Sequence, residues 1–116
     1  MSTLADDRDQ IVAALNTVTG LAASETTPAS IVAGSAWPIW QNLNWVTSAY
    51  TVNRWWVFVA LPNPNQQGTV TKGEEVLYDV AGALWPLGKV TLVEPMQWPV
   101  EPGQQAIPVL RFGLEI

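Results

Sequence analysis

The 116-residue chain reads as one α+β domain, residues 1–116, with a four-stranded, mainly antiparallel sheet and helices packed on it in the order α-β-β-α-β-β. Three observations predict this class. Apolar residues recur at helical spacing near the N-terminus and again after residue 74, and they alternate with period two in between and at the C-terminus. Gly- and Pro-bearing breaks separate these blocks. The length allows one hydrophobic core between two layers, with no internal repeat to suggest more.

The first helix starts at Thr3, which with Asp6 resembles a capping arrangement, and acids in the first turn favour the helix dipole. Leu4, Ile11, Leu15 and Val18 share a face, and Gly20 ends the run. Residues 22–34 are small and polar and read as a loop, with a short extended piece at Ile31–Val32. From Ala36 the period becomes two: Trp37, Ile39, Leu43 and Trp45 fall on one side, and Trp40, Asn42 and Asn44 on the other. A second strand runs from Tyr50 to Leu61, and its half Trp55–Leu61 is apolar on both faces, as in a strand covered on both sides.

Residues 62–68, rich in Pro, Asn and Gln, break the pattern. Thr71 with Glu74 repeats the capping pattern and opens a helix with Val76, Leu77, Val80 and Leu84 on one face. Gly82 within it implies close packing against the sheet. Pro86 and Gly88 stop the helix. Lys89–Trp98 is the third strand, with Val90 and Leu92 opposed to Thr91 and Val93. A tight turn over residues 101–104 leads to the last strand, 106–116, with Leu110, Phe112, Leu114 and Ile116 on one face. Pro108 belongs at an edge or near the strand start.

Composition then bounds the chemistry. The net charge is −5, with five scattered basic residues, which argues against sequence-independent nucleic-acid binding. No Cys and no His are present, which excludes disulfides and thiol nucleophiles and removes the commonest general base and metal ligand. Asp6, Asp7 and Asp9 do not converge on a helix, so they read as dipole complements rather than a metal site, as do Glu74 and Glu75. Neither a catalytic constellation nor a cofactor motif is recognisable. The longest apolar run, Trp55–Leu61, is far too short to span a membrane, and no signal segment is legible, so a soluble, unsecreted protein is expected.

The most unusual stretch lies between Glu25 and Lys72. Its 46 residues carry one formal charge, Arg54, and five of the chain's seven tryptophans. At ordinary composition about a dozen charges would stand there, and tryptophan is enriched where proteins bury surface against each other. Strand alternation assigns Trp37 and Trp45 to the core. Trp40, Arg54 and one of the oppositely directed neighbours Trp55 and Trp56 become candidate contact residues toward another subunit or partner. The hairpin 36–61 is then covered by its own helices on one side and by neighbouring subunits on the other.

The helix DDRDQIVAALNTVTG, the AWPIW lead-in to the sheet, the WWVFVALPNPN strand and loop, the GEEVLYDVAGAL helix and the closing VTLVEPMQWPV…IPVLRFGLEI hairpin together resemble the tail terminator (tail completion) proteins of long-tailed bacteriophages. The likeness covers nearly the whole chain and rests on pattern and element order. It implies a late virion protein, made in the host cytoplasm. Such a protein forms a ring, usually a hexamer, at the head-proximal end of the tail. The ring would stop tail-tube polymerisation, join the tube protein to head connector or stopper proteins, and let DNA pass without specific binding, as the acidic balance suits. Segments 22–35 and 62–70 would order against those partners. Two alternatives stand beside it: another head–tail joining protein, such as a stopper or minor tail component, and a small binding module using tryptophans as a carbohydrate platform.

Overall fold

A computed structural model describes residues 3–48, 50–61, 67–99, 102–103 and 106–116. The elements run α1 (Leu4–Leu15), β1 (Ala22–Ala23), β2 (Ser35–Thr47), β3 (Tyr50–Ala60), α2 (Gln67–Leu84), β4 (Lys89–Trp98) and β5 (Ile107–Glu115). They form a five-stranded mixed sheet ordered β1-β2-β3-β5-β4. This corrects the expected four-stranded α-β-β-α-β-β arrangement: a fifth strand precedes β2 and pairs with it in parallel, while the other pairings are antiparallel.

The added strand is two residues long, too short for any periodicity to announce it. Tertiary hydrogen bonds make it. Ala22 N–H donates to Gly34 O at 2.9 Å, Ser24 N–H to Ala36 O at 2.9 Å, and Ala23 N–H to the Asn16 side-chain oxygen at 2.9 Å. Gly34 has φ +90°, and a Cβ there would stand 2.4 Å from the Gly20 carbonyl oxygen. Only glycine fits that crossing, so the segment expected to be a loop is instead hooked onto the sheet edge.

Helix α1 starts as expected. Thr3 Oγ1 accepts from Asp6 N–H, and Asp6 Oδ2 accepts from Thr3 N–H, both at 3.1 Å. Its Ile11 and Leu15 are fully buried. Helix α2 begins at Gln67, so Thr71 lies one turn inside it rather than at its cap. Residues 62–66, which hold most of the expected Pro/Asn loop, lie outside the described residues, as do residues 101 and 104 of the expected tight turn.

Both helices pack on one face of the sheet. Ile11 and Leu15 of α1 and Val76, Val80 and Leu84 of α2 enclose Trp55, Val57 and Val59 of β3 and Leu110, Phe112 and Leu114 of β5. The opposite face bears a second apolar cluster around Trp37, Phe58, Ala60 and Val109. Trp37 stacks on Phe58 at 5.7 Å, and Trp98 meets both edge-on at 5.1 and 4.9 Å. Strands β2 and β4 stand three strand spacings apart, about 14 Å in a flat sheet, so these large rings lean toward each other over the small Ala60 and Val109. Ile31 of the preceding loop packs against the same cluster.

Three register shifts interrupt the strand alternation read from sequence, one of them near the hairpin tip between Trp45 and Thr47. Between Trp40 and Asn42 the β2–β3 register shifts by one residue, so Trp40 opposes Trp55 but Asn42 opposes Arg54. Between Val90 and Leu92 the β4–β5 register shifts likewise, with Val90 opposite Leu114 and Leu92 opposite Gly113. Val90 and Val93 therefore share the helix side, and Leu92 takes the other. A Cβ on Gly113 would stand 2.5 Å from Thr91 Oγ1, so glycine makes room for the extra residue.

Candidate assembly surfaces

The register shift at Gln41 decides where the tryptophans go. Before it, Trp37 and Ile39 lie on the helix-free face and Trp40 on the helix face. After it, Leu43 and Trp45 take the helix side, and Asn42 and Asn44 take the other. A single inserted residue moves the side chains after it to the opposite face, here as far as the next shift between Trp45 and Thr47. Trp37 is fully buried, as expected, but Trp45 is 67% exposed and is no core residue.

A second cause acts on Trp45. Strand β5 pairs with β3 from Arg54 to Ala60, and its last backbone bonds join Asn53 and Ile116 at 2.9–3.0 Å. Beyond Asn53 the β2–β3 hairpin has no third strand beside it among the described residues. It projects as a two-stranded arm roughly 13 Å long at about 3.3 Å per residue. Leu43, Trp45, Val46 and Tyr50 on this arm are all exposed. Within the subunit the hairpin is thus covered at its base and bare at its tip, so the chain's own helices do not cover one side of residues 36–61 along its whole length as expected. No formal charge lies between Glu25 and Arg54 to solvate it.

The four candidate contact residues separate. Trp40 sits at the base of the arm, 42% exposed, with its Nε1–H donating to Asn53 Oδ1 at 3.3 Å. Arg54 faces the helix-free side and pairs with Glu115 across the β3–β5 register at 3.5 Å. Its carboxylate partner is therefore in its own chain. Trp55 is fully buried in the helix-side core, beneath Arg8 at 6.0 Å from its ring, so it presents nothing to a partner. Trp56 points the opposite way and is partly buried; the Arg111 guanidinium lies 4.1 Å over its ring and pairs with Glu94. Two cross-strand ion pairs thus lie on the helix-free face.

The sequence reading missed a third surface. Tyr78 is 74% exposed and Trp85 67% exposed, on the outer side of α2. The Trp85 N–H donates to Ala81 O at 3.0 Å, so Trp85 continues the helical path. The signal was available: Tyr78 and Trp85 are seven apart and fall off the Val76–Val80–Leu84 face. Gly82 lies between them, exposed, with nothing within 4 Å of the place a Cβ would occupy. It does not mediate close packing on the sheet as expected.

Among the described residues no group of carboxylates is arranged to hold a metal ion, and no helix is long and apolar enough to cross a membrane. The acids near the N-terminus are separated by their roles: Asp6 caps α1, Asp7 is buried, and Asp9 is exposed. Set against models of known families and against characterised proteins, the sequence matches none.

Proposed function

We propose that this protein is a structural subunit of a homo-oligomeric ring, a hexamer on the resemblance stated above, that closes the head-proximal end of a phage tail and joins it to the head connector. The observation that carries this reading is the bare arm. An isolated two-stranded hairpin is marginal in water, and this one exposes Leu43, Trp45, Val46 and Tyr50 with no charge to keep it solvated. A neighbouring subunit would cover that surface. The tryptophans support assembly over a sugar-binding platform, because Trp37 and Trp55 are buried and the exposed or partly exposed rings are spread along the helix side of β2 (Trp40 and Trp45), on the opposite face (Trp56) and beside α2 (Trp85).

The channel of such a ring would carry DNA past an acidic protein, net −5, that repels phosphate. Phage particles assembled without this protein test the reading. Tails that overrun their normal length support termination. Tails of normal length beside detached heads would instead assign the protein to the stopper position, and unaltered particles would remove both roles.

A further inference from the structure

We propose that the arm of one copy docks on the outer side of α2 of the next, with Trp45 seated in the notch at Gly82 between Tyr78 and Trp85. This deepens the ring reading and rests on it, since it names the two surfaces that would join neighbouring subunits.

The notch is the first reason. Residues 78, 82 and 85 fall on one side of a helix. Glycine is a poor helix former, and nothing of this chain uses the space it leaves. Gly82 thus leaves open space on the helix surface between positions 78 and 85, whose aromatic side chains are exposed by 74% and 67%. That space takes a flat apolar side chain from outside.

Position is the second. Helix α2 packs over β4 and β5, whereas the arm continues β2 and β3. In the order β1-β2-β3-β5-β4 these lie on opposite lateral sides of the sheet. A knob on one side and a notch on the other is the arrangement that a head-to-tail contact between identical copies requires.

Charge selects the occupant. The outer side of α2 carries the exposed acids Glu74, Glu75 and Asp79, so two copies of α2 pairing face to face would set acid against acid. The arm carries no charge and meets no such penalty. The area is adequate as well. At roughly 150–250 Å² per aromatic side chain and about two-thirds exposure, Trp45, Tyr78 and Trp85 alone bring about 300–500 Å² into the contact. A stable interface needs ~1,200–2,000 Å² in total, and the surrounding arm and helix surface can supply the rest.

The absence of cysteine makes the test direct. Single variants Val46→Cys and Asp79→Cys are prepared separately and mixed under mild oxidation. The contact predicts a crosslink in the mixture well above that in either variant alone. Self-crosslinking of Val46→Cys at equal or greater yield would mean arm-to-arm pairing, and that of Asp79→Cys helix-to-helix pairing; either overturns the proposal, as does a mixture with no crosslink. Independently, Gly82→Leu should fill the notch and weaken self-association by about 30-fold, the scale of an interface hot spot, with unchanged circular dichroism. Unchanged association overturns the notch. Overlong tails without the protein, combined with a failed crosslink, would leave the ring reading standing and remove only this contact.

Discussion

Trp37 and Trp45 show at the residue scale how little the side-chain type decides by itself. Strict alternation assigns both to one apolar face, yet Trp37 is fully buried against Phe58 and Trp98 while Trp45 stands in the open. The inserted residue at Gln41 separates them, and no local composition marks it, since QNLN contains neither Gly nor Pro. Burial therefore predicts a large difference between two identical substitutions. Trp37→Ala should destabilise the isolated subunit by about 3–5 kcal/mol, the usual range for truncating a large buried aromatic. Trp45→Ala should change it by no more than about 0.5 kcal/mol. Urea unfolding of both variants followed at equilibrium measures this; equal losses would mean that Trp45 packs within its own chain. The candidate contact residue Trp40 stands between these cases. Trp40→Glu should leave the fold intact and block assembly, because its ring lies at the exposed base of the arm; an unfolded variant would place Trp40 in the core.

At the scale of elements, what was legible followed from long periodic runs and short chemical signatures. The α1 cap at Thr3 and Asp6, the bounds of β4 and the apolar face of β5 could all be read, because each is specified by residues close in sequence. What could not be read depends on distant partners: β1 exists through bonds to Gly34, Ala36 and Asn16, and the bulge at Thr91 is accommodated by Gly113 from another strand. The glycines divide accordingly. Gly34→Ala meets both the φ of +90° and the Gly20 carbonyl at 2.4 Å, so it should cost about 2 kcal/mol or more and detach β1. Gly82→Ala has free space and an ordinary helical backbone, so it should stabilise the isolated subunit by about 0.5–1 kcal/mol. Thermal or urea unfolding distinguishes the signs, and destabilisation by Gly82→Ala would reveal a contact within the chain that the structure does not contain.

For the whole molecule the arm sets the shape. The subunit measures 48 × 30 × 20 Å with a radius of gyration of 14.6 Å, whereas a compact domain of this length has about 13 Å. The excess follows from a hairpin that runs past its sheet. Leu43 and Asn53 form the last register pair before the hairpin extends alone. Replacing residues 44–52 with Asn-Gly closes the strands there with a two-residue turn suited to their twist. Every residue of the helix-side core and of the Trp37–Phe58–Trp98 cluster lies outside the excised segment, so the shortened protein should fold. Small-angle scattering should report a radius of gyration falling toward about 13 Å. Trp45 and Tyr50 leave with the segment, so sedimentation should show a monomer at concentrations where the full-length protein associates, and tails assembled with it should overrun as they do without the protein. A shortened protein that still associates would place the joining surfaces on the sheet and helices rather than on the arm.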